Sequence, residues 1–537
     1  MHSRIRYAPL YLVLCLLVGI ALPASAQDSQ LGETTFDTSG APEAHEAFME
    51  GLLLLHSFEY VDARAAFQTA QDRDSTFAMA YWGEAMTHNH PLWYRQDAEA
   101  ARTALNELAP TKEERLQHAP TDREKAYLRA VHTLYGDGSK QERDHAYRAA
   151  MAEVAEQFPE DLNAQAFHAL SILGTSHDGR DTRLYMQAAA IVEEVFDANP
   201  QHPGAAHYLI HSYDDPVHAP LGLRAARVYA DIAPDAAHAL HMPAHIFSAL
   251  GQWERAAELN TRSWQASVDR MERQGRSIAA RSYHALWWLA YEQLQQGQHD
   301  AATATLDTIQ TAIQQQPGVG THQAHFVRMR AAYLVETEDW THPATEIAVD
   351  PSELGLVDAA TDAFAMGWRA VAQDDFDTAQ ALHDDLRTRI NNAPDRTATT
   401  RAALMADQLQ ALLLQAQGDA EAALSVMEEA ANEAETLPLR YGPPRPVKPV
   451  HELYGDMLLA ADRPAEAQAQ YRTALDRAPR RAQATLGWAR AAEAAGDTET
   501  ARAAATQLRS IWSDADGAIQ STLSSLPDAS ARANLTP

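Results

Sequence analysis

Residues 448–479 read KPVHELYGDMLLAADRPAEAQAQYRTALDRAP, and their spacing decides the fold. Gly455 is followed twelve residues later by Ala467, then by Tyr471, Ala474 and Pro479. The same spacing returns far upstream as Gly51, Ala63, Phe67 and Ala70, and parts of it recur at Gly297/Ala302, Gly367/Ala379, Gly418/Ala423 and Gly496/Ala501. Pro159, Pro200 and Pro234 each follow an amphipathic helical segment, and the last two stand 34 residues apart. A proline cannot continue a helix, and a period of 34 is that of a helix–turn–helix repeat. This frames units at about 169–202, 203–236 and 237–270, laid end to end. No alternating apolar/polar segments are present, so the fold expected is an all-α solenoid.

The pattern resembles the tetratricopeptide repeat. Numbered from Lys448, the five marked residues fall at its positions 8, 20, 24, 27 and 32. The resemblance implies a right-handed superhelix of helix pairs, in which small residues let helices pack closely and aromatics plug the gaps. In that family positions 2, 5, 9 and 12 of the first helix line a concave groove where ligands bind.

The histidines follow this stripe. Residues 207–247 read HYLIHSYDDPVHAPLGLRAARVYADIAPDAAHALHMPAHIF. His207/His211 and His241/His245 are two i, i+4 pairs, each on one helix face, and the second pair repeats the first after 34 residues. In the repeat frame His207 and His241 take position 5, His211 and His245 position 9, and His238 position 2. His177 takes position 9 of the preceding unit, and His284 and His325 fall at position 2 of later ones. Nine of the 24 histidines lie between His168 and His245, about a seventh of the chain, where even scatter would leave fewer than four.

Neighbouring helices pack about 8–10 Å apart, so imidazoles from successive units can meet at one or two metal ions. The only cysteine, Cys15, sits in the N-terminal leader, so the ligands would be imidazole nitrogen with carboxylate or water. That set suits zinc, copper(II), nickel or iron. Asp214 and Asp215, just beyond His211, are candidate ligands or partners that fix a ring tautomer. Two other readings stand beside the metal site: a metal-free groove gripping a peptide or acidic ligand, and buried structural rings. His88 and His90, beside Pro91 and Trp93, are weaker candidates as a cap on the groove or as plain loop residues. His218, in the turn between two helices, is a further weaker candidate, either approaching the cluster or standing exposed in the turn. No H-E-x-x-H, G-x-S-x-G or phosphate-binding glycine loop is present, so no catalytic residue is nominated.

Residues 1–26 have the form of a cleavable signal peptide: a short basic start, an apolar stretch from Leu10 to Leu22, and Ala24-Ser25-Ala26. Leu14 stands where a lipoprotein signal carries a small residue, which argues against lipidation. The mature chain is expected in the periplasm or outside the cell, without disulfides or stable membrane insertion. With 73 acidic against 43 basic residues the formal charge is −30, which argues against nucleic acid and anionic membranes as partners. The organisation expected is a polar lead-in at 27–43 and repeats at 44–340 with the His-rich groove at 169–270. A linker or irregular repeat follows at 341–358, repeats at 359–437, a proline-rich break at 438–447, repeats at 448–515 and a tail at 516–537.

AMAYWG at 78–83, HYLIH at 207–211, HMPAHI at 241–246 and the run from Gly442 to Gly455 also resemble a group of exported bacterial tetratricopeptide proteins. No agreed activity attaches to that group, so the likeness implies a fold and an address only. Thr87-His88-Asn89-His90 departs from its Gly-Pro-Asn type of sequence. The function expected is an exported binding protein with a metal in its groove. The alternative is a metal-free scaffold for a protein or peptide partner, and a metal-dependent hydrolase or oxidase ranks last.

Overall fold

The computed structural model describes residues 30–394, 396–439 and 442–527, so the expected signal peptide and the last residues of the tail lie outside the described residues. Helix pairs joined by short turns follow one another along the chain, beginning with Pro42–His56 and Tyr60–Arg73 and ending with Ala482–Ala494 and Thr498–Ile511. Each helix packs on its neighbours in sequence, the contact pattern of an α-solenoid. Among the described residues no helix is long and apolar enough to cross a membrane.

The marked small and aromatic residues account for the packing. A Cβ added at Gly455 or Gly487 would meet the Tyr471 ring at 3.0 or 2.3 Å. One added at Gly51 or Gly83 would meet Phe67 at 2.8 or 2.4 Å. Each buried ring is thus clamped between the first helices of two successive units, where a side chain larger than hydrogen does not fit.

Several units depart from the regular pair. Pro243 splits one first helix into Ala237–His241 and Pro243–Ala249, because it offers no N–H to the preceding turn. The helix Gly320–Thr337 is followed by two 3-10 turns, Pro343–Glu346 and Pro351–Glu353, where a second helix would stand. The insertion after Met86 forms a two-stranded ladder pairing Asn89 with Gln96 and His90 with Arg95. The connection between Leu108 and Asp122 contains a short helix, Lys112–Gln117.

Residues 30–41 form an extended strap across the ends of five successive units. Its backbone bonds Gln201 and Asp235, its carbonyl at Thr35 accepts from Asn163, and Ser39 donates to Glu124. Phe36 anchors it, buried among Phe48, Trp82 and Tyr127 at ring distances of 5.3, 6.0 and 5.3 Å. At the other end, the C-terminal units fold back onto the middle of the array. Trp253 donates to the carbonyl of Arg480 at 2.9 Å, and the fully buried Arg481 bonds Glu452, Glu336 and Tyr291. The array therefore encloses a cleft of about 740 Å³ between its middle and C-terminal units.

Candidate metal centre

The histidine stripe reaches the inner side of this curve, but most of it is buried rather than lining an open groove. His207, His211, His241 and His245 are all buried, while His238, His284 and His325 reach the cleft wall. The turn after the first helix supplies one cover. Phe58 takes a left-handed φ of 56° and sets its ring 4.3, 6.0 and 5.7 Å from those of His207, His211 and His238. Trp288 supplies the other, stacked 4.5 Å from His245 and edge-on to His241 at 5.0 Å.

The rings sort into two triads. One nitrogen from each of His207, His211 and His238 lies within 4.8 Å of the other two, and the same holds for His241, His245 and His284. In the first triad, Nδ1 of His207 donates to the His56 carbonyl at 2.7 Å, a reach made possible by Gly204, where a Cβ would lie 2.3 Å from His56. Nδ1 of His211 donates to Asp214 at 3.3 Å. The Nε2 atoms of His207, His211 and His238 are buried without a hydrogen-bond partner among the described residues.

In the second triad both tautomers are fixed from outside. A carboxylate can only accept, so Nδ1 of His245 donates to Asp214 at 3.0 Å. The Asn260 amide nitrogen lies 2.9 Å from both oxygens of Glu292, which turns its oxygen toward Nδ1 of His241 at 2.6 Å. In that orientation hydrogens sit on both Nδ1 atoms, and the two Nε2 atoms face each other at 3.0 Å. Burial and neighbouring imidazoles hold the pKa values of His207, His238, His241 and His284 well below 6.5, and burial lowers that of His245. Those five rings are neutral at physiological pH, the protonation state a metal needs.

Asp214 joins the triads. It accepts from His211 and His245 and is bonded by Arg180 at 2.6 Å, which with the two histidine bonds holds its pKa far below the usual carboxylate range against burial. Arg180 also reaches Asp215 at 2.9 Å, and Asp215 in turn holds His218 at 2.7 Å. Asp215 and His218 therefore brace the turn behind Asp214 and do not join either triad.

His177 stands apart as well. The first helix of its unit is Leu162–Leu173, ahead of the frame read from sequence, so residues equivalent to His207 and His211 are Ala166 and Leu170. His177 falls in the following loop, 3.2 Å from Asp144 and against Tyr94. His88 lies 3.3 Å from Arg64, and His90 stacks on Tyr60 at 4.0 Å. Their loop touches the centre only through Trp93, 5.9 Å from His238. Asn260, Arg180 and Phe58 were not marked by the repeat frame. Arg180 lies in a loop, Phe58 comes from a unit far upstream, and Asn260 sits on a second helix, so none belongs to the groove stripe.

The fold is a tetratricopeptide-type α-solenoid. Solved structures of similar architecture include yeast Tom70, at 13% identity over 90% of this chain and 93% of that one with a TM-score of 0.29. The human IFIT1 dimer with m7Gppp-AAAA matches at 13% over 74% and 91%, TM-score 0.37. A Rap protein complexed with competence and sporulation factor matches at 15% over 68% and 100%, TM-score 0.34. No family model matches the sequence, and no curated protein matches it. At these identities the likeness is one of helical repeats and carries nothing over to the histidine centre.

Proposed function

We propose that this chain is an exported solenoid binding protein that holds divalent transition metal in its two histidine triads. The observation that carries the reading is the 3.0 Å approach of Nε2 of His241 to Nε2 of His245, with each Nδ1 committed to an outside acceptor. Two lone pairs facing each other at that distance repel, and a cation between them turns repulsion into ligation. Nitrogens bound about 2.0–2.1 Å from one ion at angles near 90–110° are themselves roughly 3.0–3.4 Å apart. His284 adds the third nitrogen from the cleft side.

The first triad supports a second ion. Three atoms within 4.8 Å of one another leave a point within about 2.8 Å of all three, so sub-ångström ring movements reach bonding distance. Asp214, bonded to one ring of each triad, has the place of the carboxylate that orients metal-bound imidazole. Three nitrogens per ion, without thiolate, suit zinc, copper(II), nickel or iron. The leader-like residues 1–26 support export, where such metals are taken up from the surroundings. Metal analysis of untagged protein after dialysis tests the reading: bound metal supports it, and metal at background after loading with zinc, copper and nickel overturns it.

A second reading, a protein or peptide partner in the cleft, is favoured by the apolar groups at its mouth. Trp93, a cleft residue, is 44% exposed, and Val217, beside the cleft residue Pro216, is 63% exposed. Pull-down with metal-free and metal-loaded protein separates this from the first reading.

A further inference from the structure

The cleft beside the triads carries a charge opposite to that of the chain. The whole sequence has 73 acidic and 43 basic residues. The cleft wall nevertheless has Arg95, Arg328, Arg401, Arg445 and Arg477, and Asp358 is its one carboxylate among the described residues. That reversal is built by structure. Arg328 grips Asp358 through two bonds of 2.7 and 2.8 Å, and Arg445 approaches the same carboxylate at 3.4 Å. Arg328 and Arg445 thus both face this acid, in a wall whose described residues carry more guanidinium than carboxylate. Bonding to Arg328 and the charge of Arg445 hold the pKa of Asp358 below the usual carboxylate range against burial, so it stays ionised and offsets one guanidinium charge.

Both guanidinium groups lie against the Trp287 ring, 5.1 Å away for Arg328 and 4.9 Å for Arg445. His284, the cleft-side member of the second triad, lies 5.8 Å from the same indole. One aromatic surface therefore touches both an anion-attracting pair and a metal-facing imidazole. Charges facing a partly enclosed, low-dielectric cleft act more strongly than the same charges on an open surface. Guanidinium forks match carboxylate groups bidentately, and an indole face takes the apolar stem between them.

We infer that this cleft binds a small organic dicarboxylate, one end at Arg328 and Arg445 and the other directed to the ion at His284. The inference rests on the metal reading for the second end only; the arginine end binds without it.

Calorimetric titration of the full chain with succinate tests this, with succinamide and inorganic phosphate as comparison probes, in metal-free and zinc-loaded protein. Succinate is expected to bind both forms, at least tenfold more tightly to the zinc form, and to weaken with added salt. Arg328→Gln and, separately, Arg445→Gln are expected to weaken succinate at least tenfold with zinc content unchanged; thermal melts verify that each variant is folded. Either variant leaves Asp358 one arginine, so neither strands a buried charge. No succinate binding, equal binding of succinamide, binding of phosphate alone, or wild-type affinity in both folded variants overturns the inference. Succinate binding to a protein that takes up no zinc keeps the arginine end and removes the metal reading. Zinc uptake without succinate binding does the reverse.

Discussion

Nε2 of His241 and Nε2 of His245 face each other at 3.0 Å, and the partners that force this arrangement lie outside the pair. Asp214 fixes one ring, while Asn260, itself turned by Glu292, fixes the other. Asn260→Leu removes the acceptor at Nδ1 of His241 and frees its tautomer. Metal affinity is expected to fall about 10–100-fold, the usual effect of losing an outer hydrogen-bond partner. Competition with a chromophoric chelator measures it; unchanged affinity would mean that the tautomer does not matter.

In metal-free protein, the pH dependence of stability has two opposed limbs. His207, His238, His241 and His284 have folded pKa values below their unfolded value near 6.5, so the unfolded chain binds more protons in acid. Their contribution is present above about pH 6.5 and is lost as pH falls below it. Glu292 behaves oppositely: burial raises its pKa to about 8, against the bonds from Asn260 and Ser248. Its contribution is present below its unfolded pKa and is lost as pH rises through 8. Denaturant melts should show greatest stability near pH 6.5, declining toward pH 8 by up to about 1.4 kcal/mol per pH unit. Glu292→Gln should flatten the alkaline limb and leave the acid limb in place. An alkaline decline that persists in the variant would assign it to another group.

Arg481 ties the C-terminal units to the middle of the array through Glu336 and Glu452. Arg481→Met would take the guanidinium partner from both buried carboxylates, leaving Glu452 with Lys448. A loss of about 3–5 kcal/mol is expected. Adding Glu336→Gln and Glu452→Gln should recover part of it, because the stranded charges are then gone. Chemical denaturation of the single and triple variants provides the comparison; a single variant within about 1 kcal/mol of wild type would show that this contact does not hold the array closed.

Phe36 joins the extended strap to the first units. Phe36→Ala should cost about 3–4 kcal/mol, the range for removing a buried ring. Hydrogen exchange should show the loss of protection concentrated at the amides of Glu33, Ser39 and Asp235, which donate across the strap's contacts. Uniform loss along the chain would mean that the strap is not a separable element.

Much of the architecture was legible because repeats put the same residue types at the same distances. Gly455 with Tyr471 and Gly51 with Phe67 mark helix contacts that a single sequence reveals, and the 34-residue offset of the two histidine pairs aligned them on successive helices. What periodicity could not reach was the path of the superhelix. Phe58 meets His207 from an upstream unit, and the cleft forms because Arg480 returns to Gly251. Both depend on curvature summed over many units. The misplaced frame at His177 came from a loop longer than the repeat allows, which moved its helix forward and left Ala166 and Leu170 in the histidine positions. Arg180, supplied by that same loop, had no periodic signal.

The central claim is tested most directly by counting metal. Untagged protein is loaded with zinc, dialysed exhaustively and analysed for metal per chain, in wild type and in His238→Ala and His284→Ala. The account predicts two zinc ions per chain, reduced to one in each single variant and to none in the double variant. Zinc at background in wild-type protein, or a content unaffected by both substitutions, would contradict it.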